Sequence, residues 1–134
     1  MSGSLLLDTH ALVWWVDGGE RLSAAQRRAI RQIDENRPLL VSDISLWEIA
    51  VLVELGRLEL ALPTRDWLEK ATAPPLVQRV GILPSIAAEA ARLPESFHRD
   101  PADRIIVATA RILGAKLVTS DRRIIRAKAV PTVH

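Results

Sequence analysis

The chain has 134 residues, of which 49% are apolar and 25% charged, and its formal net charge is +2. These values are typical of one globular domain, which we expect to span residues 1–134, and they exclude disordered, collagen-like and coiled-coil chains. The absence of cysteine excludes disulfide frameworks and thiol nucleophiles and suits a reducing cytoplasm, where we place the protein. The apolar run at 5–7 is far shorter than the ~20 residues that cross a bilayer, so we expect no signal peptide and no membrane span.

Hydrophobic periodicity and capping residues divide the chain into strands that alternate with helices. Short apolar runs predict strands at 5–7, 39–41, 80–83, 116–119 and 130–133. Helical spacing predicts helices at about 11–15, 24–36, 43–55, 64–70, 84–93 and 101–113, with a last short helix after Asp121. Strands that alternate with helices through short connections predict an α/β fold with a parallel sheet covered on both faces.

Two of the predicted strands are followed by aspartates, Asp8 after the first and Asp121 after the strand at 116–119. Ligands of open parallel sheets bind beyond the carboxyl ends of the strands, so the two carboxylates would share one edge if these strands are neighbours. Taken alone, each aspartate is more typical of the N-cap of the helix that follows it.

Glu48 lies inside an apolar segment, 44–53, whose helix would leave little of its circumference for water. A carboxylate there must be hydrogen-bonded, paired or bound to a metal, because an isolated buried charge is costly. A polar stripe shared with Ser45 and an ion pair with an arginine are the structural alternatives.

The segment HRDPADR at 98–104 begins the most regular predicted helix, with Asp100 as N-cap and Asp103 in its first turn. The same two carboxylates are also a source of ligands for a hard cation. If Asp8, Glu48, Asp103 and Asp121 converge, they repel one another unless a cation is present. Such a cluster would hold Mg²⁺ or Mn²⁺, which supports hydrolysis of a phosphodiester.

Arginine supplies 15 of the 18 cationic residues, and its planar guanidinium suits phosphate, although a GC-rich coding bias would give the same count. The arginines nearest to the acidic segments are candidates for contacts with a nucleic-acid backbone, and they are Arg99, Arg104, Arg122 and Arg123.

The remaining aromatic and imidazole side chains carry weaker signals. The four tryptophans lie among aliphatic residues at helical spacing, which indicates core or interface packing rather than base stacking. They are Trp14, Trp15, Trp47 and Trp67. The histidines at 10, 98 and 134 are too scattered for a metal triad, and we expect His98 to be a surface or capping residue, although its place near the acidic helix start would also suit proton transfer.

Four segments occur in a fixed order across nearly the whole chain: LLLDTHALVWW at 5–15, SLWEI at 45–49, HRDPADRIIVATA at 98–110 and LVTSD at 117–121. In this order the sequence resembles the PIN-domain ribonucleases of the VapC toxin type. The resemblance implies a PIN-like three-layer fold in which helices flank a central, mostly parallel sheet. The chain departs from the family pattern at Ala102, where phenylalanine is commoner, which affects local packing and leaves the acidic residues in place.

The resemblance also implies the chemistry of the site. Catalytic and metal-ligating roles fall on Asp8, Glu48, Asp103 and Asp121, which would hold Mg²⁺ or Mn²⁺ and cleave RNA endonucleolytically through in-line attack of a metal-activated water. Supporting or substrate-contacting roles fall on Thr9, Asp100, Thr119, Ser120, Arg104 and Arg122. We assign Asp100 to capping and Asp103 to the metal, an order that the sequence alone leaves reversible.

The implied partners are an RNA substrate, a second copy of the chain and a cognate antitoxin whose C-terminal segment reaches the active site. We expect the outer surface of the third and fourth helices, with Trp47 and Trp67, to make the dimer or antitoxin contact. A catalytically silent RNA- or protein-binding module of the same fold is the alternative. An aspartyl phosphotransferase using Asp8 fits less well, because His10 stands where those enzymes have a second aspartate.

Overall fold

The structure, a computed structural model, describes residues 3–134. Within these residues the strands are β1 (Leu5–Leu7), β2 (Leu39–Ser42), β3 (Val77–Val80), β4 (Lys116–Val118) and β5 (Thr132–Val133). The helices are α1 (Thr9–Val16), α2 (Ala24–Ile30), α3 (Asp43–Glu54), α4 (Thr64–Ala71), α5 (Pro84–Arg92), α6 (Pro101–Leu113) and α7 (Arg122–Ala127). Among these helices, none combines the length and the apolar character needed to cross a membrane.

All five strands run parallel in one sheet, in the order β3-β2-β1-β4-β5. The central strand is β1, whose Leu6 lies opposite Leu40 of β2 and Leu117 of β4. The α/β class with a parallel sheet is therefore confirmed. Because β1 and β4 are neighbours, the residues that follow these two strands lie at the same edge of the sheet.

Side chains of β1 alternate between the two faces of the sheet. Leu5 and Leu7 pack against residues of α1, α2 and α4 on one face. Leu6 packs against α6 and α7 on the other face, where α5 also contacts α6. Helices therefore cover both faces, which gives the three-layer arrangement that the family resemblance implies.

Capping residues set most of the helix boundaries where the sequence predicts them. The Asp100 carboxylate accepts hydrogen bonds from the amides of Ala102 and Asp103, which fixes the start of α6. Gly114, with φ of 64°, ends the same helix in the left-handed conformation that glycine adopts without strain. These local signals account for the good agreement at α3, α5 and α6.

The predicted bounds of α2 and β3 are wrong. The prediction extends α2 to Asn36, whereas the helix ends at Ile30 because the Asp34 carboxylate accepts from the amides of Asn36 and Arg37 and forms a turn. The prediction also places a strand at 80–83, whereas β3 is Val77–Val80. Gln78 and Arg79 in the middle of this edge strand are exposed, so its hydrophobic signal is weak.

Gln26 connects α2 to the ends of β4 and β5 and is completely buried. Its side-chain amide donates to the carbonyl oxygens of Thr119 and Val133, at 3.2 and 3.1 Å, and to the hydroxyl of Ser120, at 3.2 Å. Its side-chain oxygen accepts from the amide of Ser23 in a capping box. One amide side chain therefore fixes the segment that carries two predicted site residues.

We predict that Gln26→Leu lowers the free energy of unfolding by about 2 kcal/mol, because the apolar side chain leaves buried polar groups without partners. Gln32→Leu, an exposed glutamine of the same region, is the matched control and should change it by less than about 0.5 kcal/mol. Urea denaturation followed by circular dichroism measures both. Equal stability of the two variants would contradict the role given to Gln26.

Candidate functional site

A cavity of about 300 Å³ lies beyond the carboxyl ends of β1 and β4. Its walls come from the start of α1, from α3, from the start of α6 and from the segment after β4. The lining residues are Asp8, Thr9, His10, Trp14, Glu48, Asp100, Asp103, Ser120, Asp121 and Arg123. The four carboxylates that the sequence singles out thus line one cavity. Among the described residues, the group whose ligand atoms all lie within 4.8 Å of one another contains Asp103 and Asp121, with His98.

Asp8 has two structural partners and also faces the cavity. One carboxylate oxygen accepts from the amide of Ala11 at 2.8 Å and so caps α1. The other accepts from the hydroxyl of Thr119 at 2.5 Å, across the β1–β4 pair. Burial raises the pKa of Asp8 above its usual value, although both hydrogen bonds act in the opposite direction. The capping role and a site role therefore coexist in this residue.

Glu48 reaches the cavity from α3. Its carboxylate accepts from the hydroxyl of Thr9, the first residue of α1, and Thr9 also lies 3.0 Å from the hydroxyl of the completely buried Ser45. The expected polar stripe with Ser45 is present, and Thr9 joins it to Glu48. The ion pairs found within residues 3–134 do not include Glu48, so an arginine partner does not explain its position.

Asp121 caps α7 through the amide of Arg123, at 2.9 Å. The Arg123 guanidinium lies 3.3 Å from the second carboxylate oxygen of Asp121. Burial alone would raise the pKa of Asp121, but the hydrogen bonds and charge of Arg123 outweigh it and leave the pKa lowered. Arg123 therefore favours the ionised form of Asp121 even without a bound cation.

Asp103 differs from the other carboxylates because protein donors do not compensate its charge. Asp100, at the same helix start, is used as the N-cap, whereas the nearest cation to Asp103 is Arg123, at 3.9 Å. Burial raises the pKa of Asp103 to about 7, and the charges of Asp100, Glu48, Asp121 and Asp8 act in the same direction. Asp100 therefore has the predicted capping role, whereas metal binding by Asp103 stays a prediction.

His98 lies beside this cluster, with its Nε2 atom 3.5 Å from a carboxylate oxygen of Asp103. Its side chain is only 15% exposed, so the expectation of a surface or capping histidine is wrong. Burial lowers the pKa of His98, and the charge of Arg123 adds to the effect, which favours the neutral ring. The histidine was hard to predict as a site residue because it precedes α6 in a loop without periodicity.

Three of the four predicted arginines, Arg99, Arg104 and Arg122, do not line the cavity. The Arg104 guanidinium donates to the carbonyl oxygens of Ala90, Leu93, Pro94 and Phe97 at 3.0 to 3.3 Å and fixes the loop between α5 and α6. The Arg104 guanidinium is therefore engaged by the backbone and is not placed to contact a substrate. Arg122 is exposed and does not line the cavity, whereas its neighbour Arg123 does.

The two predicted hydroxyl residues after β4 have different positions. Thr119 is completely buried behind the cavity wall, where its hydroxyl donates to Asp8 and accepts from the amide of Asp121 at 3.1 Å. Ser120 is exposed and lines the cavity. Thr119 therefore orients two carboxylates, whereas the hydroxyl of Ser120, which accepts from Gln26, can still donate to a ligand.

The tryptophans also divide into different environments. Trp67 is buried in the core, with 4% exposure, so the expectation that it forms part of an outer contact surface is wrong. Trp47 of α3 is 62% exposed, and Leu55 just after that helix is 59% exposed. Trp14 packs against the core and also borders the cavity. Only Ser45 and Ile49 of α3 are fully buried, so this apolar helix faces water more than the sequence suggests.

A family model described as PIN domain matches residues 5–130 of the chain. The chain belongs to the PIN-domain family. Ribonuclease VapC22 of Mycobacterium tuberculosis (strain ATCC 25618 / H37Rv) is 47% identical to it over 121 residues, which are 90% of this chain and 89% of the relative. This identity places the PIN domain among the VapC-type members that its motifs resemble.

Solved structures share the same fold at low sequence identity. The VapBC-1 structure from nontypeable Haemophilus influenzae matches with a TM-score of 0.70 and 17% identity, over 98% of this chain and 96% of that chain. The VapBC2 structure from Rickettsia felis, bound to a DNA fragment from their promoter, matches with a TM-score of 0.69 and 14% identity, over 98% and 97%. These matches confirm the three-layer PIN fold.

The donor set of this PIN domain fits a hard divalent cation. Carboxylate oxygens are the ligands that Mg²⁺ and Mn²⁺ prefer, and several of them here face one another without enough cationic side chains to balance them. Burial is the main cause of the raised pKa of Asp103, and the excess of negative charge around it adds to the effect. A cation in the cavity would remove the repulsion.

We predict that the metal-free PIN domain is destabilised by ionisation of Asp103. The folded protein holds this carboxyl protonated up to about pH 7, whereas the unfolded chain ionises it near the ordinary value of 3.8. The stability contributed by the protonated form is therefore complete below pH 3.8 and is lost as the pH rises through about 7. At about 1.4 kcal/mol per pKa unit, the loss is at most of the order of 4 kcal/mol.

Thermal unfolding in EDTA between about pH 5 and pH 8 measures this effect. Asp103→Asn should unfold at a higher temperature than the unchanged protein near pH 8, and the difference should be smaller near pH 5. Glu35→Gln, at an exposed turn, is the matched control for removing one negative charge. If Asp103→Asn is less stable than the unchanged protein at both pH values, the cost of ionising Asp103 does not dominate its contribution to stability.

Proposed function

We propose that this PIN domain is a metal-dependent endoribonuclease and the toxin component of a toxin-antitoxin system, acting as a single domain over residues 1–134 in the cytoplasm. The observation that carries the proposal is the convergence of Asp8, Glu48, Asp103 and Asp121 on one cavity at the edge of the sheet. The 47% identity to Ribonuclease VapC22 supports RNA as the substrate class.

In this proposal the four carboxylates hold Mg²⁺ or Mn²⁺. When bound, the cation would lower the pKa of water and stabilise negative charge on a phosphodiester. Thr119 and Thr9 hold the carboxylates of Asp8 and Glu48 in place by donating their hydroxyl hydrogens. The site is therefore oriented by the protein itself, which reduces the reorganisation needed when the substrate arrives.

Substrate binding would use the residues at the mouth of the cavity. Arg123 supplies a positive charge beside the acidic cluster and suits a phosphate of the RNA backbone. Ser120 is exposed on the same wall and has a hydroxyl for a further polar contact. We propose that water attacks the phosphorus in line with the departing oxygen, so that one P–O bond forms as the other breaks.

We predict that the purified protein cleaves RNA with Mg²⁺ or Mn²⁺, that EDTA abolishes cleavage, and that Asp8→Asn and Asp103→Asn reduce it at least about 100-fold through loss of charge at the metal. A gel assay on transfer RNA, ribosomal RNA fragments and messenger RNA measures the rate. Asp66→Asn, an exposed aspartate of α4, is the matched control and should retain the activity. Circular dichroism verifies that each variant is folded.

Two results would count against the proposal. Cleavage that persists in EDTA or in both active-site variants would indicate a contaminating nuclease or a different mechanism. Absence of cleavage on all three RNA classes, together with unchanged RNA binding by Asp8→Asn, would favour the catalytically silent binding module.

We also propose that the chain binds a second copy of itself and a cognate antitoxin. The matched solved structures are described as VapBC and toxin-antitoxin complexes. Within this chain, the outward surface of α3 is apolar but uncovered, with Trp47 and Leu55 both more than half exposed. An exposed tryptophan is typical of the centre of a protein interface. A candidate antitoxin should co-elute with the chain and inhibit its cleavage of RNA.

We predict that light scattering gives a mass about twice the 14.8 kDa of one chain and that Trp47→Glu lowers it to that of the monomer. The reason is that a charged side chain in an apolar contact costs several kcal/mol when it is desolvated. Ile112→Glu, an exposed aliphatic residue of α6, is the control. A monomeric unchanged protein at about 50 μM would contradict the self-association through α3.

A further inference from the structure

The loop that precedes α6 holds His98 in one orientation next to the acidic cavity. The adjacent Phe97 is buried and stacks on the imidazole, with the ring centroids 4.6 Å apart and the planes at 25°. The guanidinium of Arg104 lies 5.9 Å from the centre of the Phe97 ring and donates to the carbonyl oxygen of the same residue. The imidazole is therefore held in place by stacking on Phe97, which Arg104 in turn contacts.

Neither ring nitrogen of His98 has a hydrogen-bond partner among residues 3–134, and both nitrogens are shielded from solvent. Buried polar atoms almost always have a partner, because an unpaired one costs about 1 to 3 kcal/mol. His98 is thus an exception that requires an explanation. Packing holds this ring in a position where neither nitrogen has a hydrogen-bond partner among the described residues.

The carboxylate that faces the His98 ring is itself a ligand of the proposed cation. The Nε2 atom lies 3.5 Å from a carboxylate oxygen of Asp103, which is longer than an ordinary N–H···O hydrogen bond of 2.7 to 3.2 Å. One ligand atom from each of His98, Asp103 and Asp121 can be chosen so that all three lie within 4.8 Å of one another. Two ligands that are each about 2.1 Å from a cation lie roughly 3 to 4 Å apart.

We infer that the Nε2 atom of His98 is a ligand of the cation, together with carboxylate oxygens of Asp103 and Asp121, and that the site prefers Mn²⁺ to Mg²⁺. The inference rests on the proposed cation site and adds a nitrogen ligand to its carboxylates. Imidazole suits transition metals, whereas Mg²⁺ favours ligands that are all oxygen. Arg123, the nearest guanidinium, lies 3.3 Å from Asp121 and 3.9 Å from the same Asp103 oxygen that faces His98, and the longer distance is beyond hydrogen-bond range.

Pulsed electron paramagnetic resonance of the full chain loaded with Mn²⁺ tests the inference, because a directly bound nitrogen produces a ¹⁴N coupling. The unchanged protein should show this coupling. Labelling its histidines with ¹⁵N should replace the ¹⁴N coupling by a ¹⁵N coupling without any mutation. His98→Gln should lose the coupling. His10→Gln is the matched control, because His10 also lines the cavity but lies outside the three-ligand group, and it should keep the coupling.

Competition binding provides a second measurement. We expect His98→Gln to weaken Mn²⁺ binding about tenfold and Mg²⁺ binding much less, so that the preference for Mn²⁺ decreases by nearly the same factor. His10→Gln should leave both affinities unchanged.

The outcomes separate the two proposals. Failure of the unchanged protein to bind either cation overturns the proposed metal site and the His98 inference with it. Binding of Mn²⁺ without any ¹⁴N coupling overturns the His98 inference alone and leaves a site of oxygen ligands. A coupling that disappears in His10→Gln but persists in His98→Gln would identify His10 as the nitrogen ligand and also overturns the inference.

Discussion

The hydrogen bond from the Thr119 hydroxyl to the Asp8 carboxylate is the contact on which the site depends. It joins the residues that follow β1 and β4, which are adjacent in the sheet but 111 positions apart in the chain. Without the parallel pairing of these strands, Asp8 would only cap α1 and Asp121 would only cap α7. The pairing turns two ordinary N-caps into two walls of one cavity.

Several carboxylates around the cavity combine helix capping with a place in the cavity wall. Asp8, Asp100 and Asp121 each accept hydrogen bonds from backbone amides at the start of a helix, where the positive end of the helix dipole favours a carboxylate. Three helices thus begin at the cavity, and each capping carboxylate accepts from an amide that has no partner within its helix. The protein can therefore collect several negative charges at one edge of the sheet while the cost of each is partly offset by its own helix.

Sequence patterns predicted the parts of the structure that local chemistry determines. The caps and stops of α3, α5 and α6, and the acidic residues that follow β1 and β4, can be recognised from a few neighbouring residues. The parts that depend on distant contacts could not be found in this way. Gln26 reads as a capping-box residue, and nothing nearby indicates its bonds to Thr119 and Val133. Trp47 lies in the apolar segment 44–53 and Trp67 in the charged segment 65–70, yet Trp47 is exposed and Trp67 is buried.

The errors at the edges have the same origin. The strand β3 lies at the edge of the sheet, where its central residues face water, so the stronger apolar signal at 80–83 drew the prediction away from it. His98 lies in a loop whose conformation is determined by Arg104, through carbonyl oxygens on the far side of the loop. An arginine that follows an aspartate in a motif is easily taken for a substrate contact. Its bonds to the loop show that its task is to hold the backbone.

The distribution of partners within the cavity indicates where a cation would act most strongly. Asp8 is held by Thr119, Glu48 by Thr9 and Asp121 by Arg123, so their positions are set by the protein. Asp103 has only the distant Arg123 and the uncharged side of His98, and its pKa is raised to about 7. The carboxylates with fixed positions define where a cation would bind. The uncompensated charge of Asp103 would be the one that a cation neutralises. A cation bound between them would therefore be oriented by the first group and stabilised chiefly by Asp103.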